Sequence, residues 1–166
     1  GNINGDWAYS NNPVVKGDMI VTGSTKYGGT VYHYGDFYLA KNLETDGDVI
    51  YGTEGIDTSV IYIGGNVTCP NGRPIVVFGD LYVNGNISDK CKVHVKGNFT
   101  LGGRMVKKMH YQDPYYGTST PVDSADVYVY KNWVFTKKVE EQLELQHDNA
   151  YNQTSFYVGK NLYLPY

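Results

Sequence analysis

The chain has 166 residues, 14 Lys and Arg against 17 Asp and Glu, a formal charge of −3 at pH 7 and a pI near 5.7. That length suits one core and falls short of what forces two domains. The mild acidity provides no cationic surface of the kind that phosphate-backbone binding requires, which excludes nucleic acid as a general partner. Hydrophobic residues make up 41% of the chain, yet no run approaches the roughly eighteen apolar residues needed to span a bilayer, so no membrane contact is expected of this segment.

Glycine accounts for 20 residues, about 12% against a usual value near 7%. It recurs in one phrase: Gly-Asp or Gly-Asn, then apolar, any, apolar. From the N-terminus the phrase reads Gly17-Asp18-Met19-Ile20-Val21, Gly35-Asp36-Phe37-Tyr38-Leu39, Gly47-Asp48-Val49, Gly65-Asn66-Val67, Gly79-Asp80-Leu81-Tyr82-Val83, Gly85-Asn86-Ile87 and Gly97-Asn98-Phe99-Thr100-Leu101. The polar positions step by 18, 12 and 18 from Asp18 to Asn66 and by 6 and 12 from Asp80 to Asn98. Between Asn66 and Asp80 the step is 14, two more than twelve, and Cys69-Pro70-Asn71-Gly72-Arg73 carries the turn chemistry to absorb the extra pair.

A six-residue unit is too short for a helical repeat, whereas three units make an eighteen-residue coil of three short strands and three corners. Alternate apolar residues in each unit can turn inward while Gly, Asp or Asn takes the corner. The fold class expected is therefore all-β, a three-sided parallel β-helix with about 18 residues per coil and regular coils over residues 6–105. Counting by eighteen, with two added at the insertion, gives three stacked columns. The first is Trp7, Thr25, Leu43, Ile61, Leu81, Phe99; the second is Pro13, Val31, Val49, Val67, Ile87, Met105; the third is Met19, Phe37, Gly55, Ile75, Val93. Tyr32 or Tyr34 competes for the inward place that strict counting assigns to Val31 and His33, and Ile56 competes with Gly55. An antiparallel sandwich with glycine-rich hairpins is the alternative fold, but six-residue phasing leaves little room for full strands and hairpins.

The beat breaks after Leu101. Residues 106–125 read as a long inserted loop, with Lys107-Lys108, Pro114-Tyr115-Tyr116-Gly117 and Thr120-Pro121. It resumes at Val127-Tyr128-Val129-Tyr130 and Asn132-Trp133-Val134-Phe135. In Lys137 to Gln146, Val139 and Leu143 stand one helical turn apart and suggest a short helix; a strand with Val139, Glu141 and Leu143 on one side is the alternative. Phe156 to Leu164 returns to the repeat, so residues 126–166 are terminal strands and an excursion of one domain covering 1–166.

The units Gly47-Asp48-Val49, Gly65-Asn66-Val67, Gly79 to Ile87 and Gly97-Asn98-Phe99 resemble the bactofilin-type, polymer-forming β-helix family. The resemblance covers most of residues 17–101, with a weaker echo over 126–164. It implies a right-handed eighteen-residue coil, a structural role in bacterial filaments or scaffolds, and no catalytic residues. Glycine-rich coils of this sort also look like modules of bacterial surface and pilus-associated proteins. A bacterial cell-surface or extracellular location is expected on that basis, with the cytoplasm as the alternative.

Candidate sites follow from what remains. Cys69 and Cys91 could lie on neighbouring coils, and a disulfide between them would contribute about 3 kcal/mol; strict phasing instead turns Cys69 inward and puts Cys91 at a corner, which favours two separate thiols. No third or fourth ligand accompanies them at metal-site spacing, and no metal or other cofactor is expected. His33, His94, His110 and His147 are dispersed, with His94 read as a surface residue and His110 as a loop residue. Asp18, Asp36 and Glu54 repeat at eighteen and would stack; cation binding or acid/base chemistry is conceivable there, but corner residues accepting backbone hydrogen bonds is the stronger reading. Asn66, Asn86, Asn98 and Asn152 head Asn-X-Ser/Thr sequons, three of them at corners.

Seventeen tyrosines are the stronger surface signal. Tyr62 and Tyr82 should stack on one outward face, and Tyr115 and Tyr116 sit in the inserted loop; these four are candidate aromatic contacts for a glycan or a protein. A second candidate is an apolar strip counted as Ile20, Tyr38, Ile56, Val76 and His94, with Ala40 and Phe78 beside it. Residues Pro74 to Phe78 form a near-continuous apolar run, as a strand covered on both faces does. The cover would be the inserted loop, the segment around Val139 and Leu143, or a second chain. The functional expectation is a noncatalytic structural or scaffold module with a protein partner or self-association. The alternatives are a carbohydrate-binding or adhesive surface module and a polysaccharide-cleaving β-helix enzyme.

Overall fold

The structure, a computed structural model, describes residues 1–9, 12–110, 126–148 and 156–165. It is a parallel β-helix-like all-β fold, in which successive short strands visit three parallel sheets in strict rotation. Sheet A holds eight strands, from Asn2–Ile3 through Met19–Val21, Phe37–Leu39, Ser59–Ile63, Gly79–Val83, Phe99–Leu101 and Trp133–Phe135 to Leu162–Tyr163. Sheet C holds seven, from Val14–Lys16 to Phe156–Val158. Sheet B runs from Trp7–Tyr9 to Val67–Thr68, passes through single bridges at Ile87, and continues into Met105–His110 and Leu143–Asp148. The late strands Val127–Val129 and Trp133–Phe135 extend sheets C and A, as the return of the repeat predicts.

Alternation decides which side chains enter the core. In Phe37–Leu39, Val49–Tyr51, Gly79–Val83 and Phe99–Leu101 the odd-numbered residues are buried and the even-numbered ones face outward. Strict counting holds at Val31 and His33, both fully buried, with Tyr32 and Tyr34 outward. Gly79 shows why the corners need glycine: its φ is +150° and an added Cβ would sit 1.8 Å from the Ser59 carbonyl oxygen of the preceding coil.

The coil length is where counting by eighteen fails. Asp18 to Asp36 is a separation of 18, but Asn42 to Asn66 is 24 and Asn66 to Asn86 is 20. One whole six-residue unit, in the exposed segment 53–58, leaves the sheets as an excursion at the corner between C and A. The three expected columns therefore exchange members beyond it. Trp7, Thr25 and Leu43 continue into Val67, Ile87 and Met105. Met19 and Phe37 continue into Ile61, Leu81 and Phe99. Val31 and Val49 continue into Ile75 and Val93, and neither Gly55 nor Ile56 joins a column.

Two further expectations change. Residues 106–110, read as the start of a loop, complete a six-residue strand, Met105–His110, paired with Leu143–Asp148. The segment 137–146 opens with the expected short helix, one turn over Val139–Gln142, and Leu143 then begins the strand paired with Met105–His110; the alternative strand with Val139, Glu141 and Leu143 on one side does not form. The turn is anchored by buried Gln142, whose Nε2 donates to the carbonyls of Leu101 and Gly103 at 2.7 and 2.9 Å while its Oε1 accepts from Lys137 N.

Candidate functional site

The acidic and amide corner residues, with the Ser24 hydroxyl, form ladders that run along the fold. Each side-chain oxygen accepts the backbone N–H of the corner above it. One ladder reads Asp6 to Ser24, Ser24 to Asn42, Asn42 to Asn66, Asn66 to Asn86 and Asn86 to Arg104, at 2.7–3.1 Å. A second reads Asp18 to Asp36 and Asp36 to Val60, then resumes as Asp80 to Asn98, Asn98 to Asn132 and Asn132 to Asn161. The expected column of Asp18, Asp36 and Glu54 is thus broken: Val60 follows Asp36, and Glu54 lies in the exposed excursion. The same ladders occupy the amide oxygens of the sequon residues Asn66, Asn86 and Asn98, while Asn152 lies outside the described residues.

Cys69 and Cys91 are joined in a disulfide, with a Cα–Cα distance of 5.0 Å and both residues fully buried. This corrects the reading of two separate thiols. Ser88–Cys91 makes a tight turn, Cys91 N donating to Ser88 O, and this swings the Cys91 side chain off the corner and into the core. Lys107 enters the core beside it and its ammonium donates to the carbonyls of Asp89 and Cys91. Burial lowers its pKa from 10.5 to about 8. His33 is a core residue: its Nε2 lies 2.9 Å from Gly17 O, its ring packs edge-on to Phe37, and burial holds its pKa below the ordinary value. His94 lies half-buried on the outward face of sheet C, and the side chains of His110 and His147 are outside the described set.

The outward faces of the sheets differ in kind. On sheet B, Lys26 pairs with Glu44 at 3.3 Å and Arg104 with Glu144 at 2.5 Å. On sheet C, one register row is Val14, Tyr32, Ile50, Val76, His94, Tyr128 and Tyr157. On sheet A, the row is Ile20, Tyr38, Tyr62, Tyr82, Thr100, Val134 and Tyr163.

The apolar strip counted from the sequence is therefore divided. Ile20 and Tyr38 belong to sheet A, Val76 to sheet C, and Phe78 sits at the corner between them, lining a cleft with Glu54, Gly55, Asp57, Lys96 and Tyr130. Val76 and Phe78 are half-buried, whereas Ile20 and Tyr38 are 47% and 46% exposed. Tyr62 and Tyr82 stack outward as expected, with ring centroids 5.2 Å apart and planes 15° apart. Tyr38 joins them, 4.9 Å and 6° from Tyr62. Counting by eighteen missed it because the excursion lies between Tyr38 and Tyr62. The available signal was that Thr53 to Thr58 lacks the apolar, any, apolar phrase. Tyr115 and Tyr116 lie outside the described residues.

Beyond Tyr82 the row drops to Thr100 and Val134, and a cleft of about 360 Å³ opens there, lined also by Val60, Asp80, Asn98 and Asn132. Among the described residues no helix is long and apolar enough to cross a membrane. Compared with protein-family models, curated proteins and solved structures, the chain finds no match in any of the three.

Proposed function

We propose that the chain is a noncatalytic structural module of a bacterial cell-surface or filament-associated assembly, contacting its neighbours through the outward faces of sheets A and C. The observation that carries this reading is the contrast among the three faces. Sheet B displays ion pairs, whereas Ile20, Tyr38 and Val60 on sheet A and Val14 and Tyr32 on sheet C are each more than 40% exposed. A freely solvated sheet face carries polar residues opposite its core face, and apolar rows on two faces suit a module packed on two sides.

The bactofilin-like coil phrases support a structural role. The buried Cys69–Cys91 disulfide supports a location outside the cytoplasm, where such bonds persist, over the cytoplasmic alternative.

Sedimentation velocity over a concentration series tests the proposal. The native chain should associate with rising concentration, and Val14→Glu with Ile20→Glu should reduce it to monomers with unchanged far-ultraviolet circular dichroism. A native chain that stays monomeric into the millimolar range would overturn the proposal.

A further inference from the structure

We propose that the step at the end of the tyrosine row on sheet A binds one pyranose residue of a glycan, stacked on the open face of Tyr82. The cleft lies on the outward face of sheet A and shares Val60 with the rows of the assembly reading, but sugar binding by the isolated chain does not rest on that reading.

The stacking geometry decides which ring faces are available. With centroids about 5 Å apart and nearly parallel planes, Tyr38, Tyr62 and Tyr82 overlap one another and do not lie side by side on the sheet. Both faces of Tyr62 are covered by its neighbours. The row presents ring edges and hydroxyls to solvent along most of its length, so it is not a continuous sugar platform. Only the two ends expose a face. At one end Tyr38 is followed by Ile20, whose side chain occupies the next position of the row. At the other, Tyr82 is followed by Thr100 and then Val134, whose short side chains leave the cleft of about 360 Å³. That volume is at the small end of ligand pockets.

The cleft walls match a sugar ring group by group. Tyr82 supplies an aromatic wall for the C–H face of a pyranose, and Val60, Thr100 and Val134 supply further apolar surface. Along the rim run the corner residues Asp80 and Asn98. Asp80 uses Oδ1 to accept Asn98 N at 2.7 Å, and Oδ2 takes no part in the ladder. Asn98 uses Oδ1 to accept Asn132 N and Nδ2, at 3.1 and 3.0 Å, and its own Nδ2 takes no part. The ladder thus holds one acceptor and one donor on successive coils at the edge of the aromatic wall. Two adjacent hydroxyls of a pyranose, each both donor and acceptor, fit such a pair. An aromatic side chain from a partner protein would use the wall and leave the rim unmet, which favours the sugar.

Amide chemical-shift mapping by NMR tests the proposal on the whole chain. The probes are the methyl β-pyranosides of glucose, galactose and N-acetylglucosamine, with N-acetyltyrosinamide as the protein-like competitor. At least one sugar should shift the amides of residues 80–82, 98–100 and 132–134 in a saturable way. Tyr82→Ala, which removes the wall, should weaken that binding about tenfold. Thr100→Tyr, which extends the row into the cleft from an outward strand position, should do the same without touching the core. Asp80→Asn keeps the ladder acceptor, removes the charge and should weaken binding severalfold, while Tyr38→Ala should change it less than twofold. The proposal is overturned if no sugar shifts these amides, if only N-acetyltyrosinamide does, or if Tyr38→Ala is as damaging as Thr100→Tyr.

Discussion

Opening the Cys69–Cys91 bond tests the packing around it. The two cysteines are 22 residues apart in sequence, and the loop between them contributes one strand to each of sheets A and C and the Ile87 bridge to sheet B. In the chain-entropy account, closing a loop of 22 residues removes about 3 kcal/mol of freedom from the unfolded chain at room temperature. For a domain of this size each kcal/mol moves the melting midpoint by about 2–4 °C, so Cys69→Ser with Cys91→Ser should melt roughly 6–12 °C lower. Both residues are fully buried, so native reduction must wait for local opening and should be slow in reductant without denaturant. Calorimetry on oxidised, reduced and double-serine protein measures the shift. Alkylation in denaturant without reductant measures the bond itself: the oxidised chain should take up no iodoacetamide. Two adducts on protein expressed in an oxidising compartment, or a reduced form that melts within a degree of the oxidised one, would refute the reasoning.

Leu81 is 3% exposed between Ile61 and Phe99, and Leu81→Ala should cost about 2–5 kcal/mol in urea unfolding through lost burial and the cavity left; a loss below about 0.5 kcal/mol would reject that column. Gly79→Ala should prevent normal folding, read as loss of the cooperative melt, because its Cβ would overlap Ser59 backbone, whereas Gly55→Ala, at φ +85° in open space, should cost only about 1–2 kcal/mol. Lys107, at about 8 in the folded chain against an ordinary 10.5, binds its proton more weakly folded than unfolded. Stability should therefore rise by about 2 kcal/mol from pH 8 to pH 10, and Lys107→Met should flatten that rise in urea titrations across the range. Above pH 10 the trend should reverse, since burial raises the pKa values of Tyr27 and Tyr51, and unfolding then releases their protons.

The strand periodicity, the inward set and the parallel winding were legible in the chain because each is a local rule repeated many times. Gly-Asp or Gly-Asn marks a corner wherever it occurs, and apolar residues two apart mark one strand face. Corner chemistry was legible as well, except that the Asp and Asn side chains bond to the next coil more than to their own turn. Coil length was legible only as the missing apolar, any, apolar phrase at 53–58 and not from the beat. The beat counts in sixes, so a coil of 18 and a coil of 24 carry the same beat, and one unit leaving the sheets at 53–58 does not break it. That single excursion moved Ile61 from above Leu43 to above Phe37 and brought Tyr38 under Tyr62. It also split the apolar strip between two faces. The Cys69–Cys91 bond depended on a four-residue turn that phasing alone does not contain. Side-chain alternation was determined by the sequence itself, because the strand backbone imposes it residue by residue. Stacking belonged to the tertiary structure, because which residue lies above which depends on the whole length of chain between them.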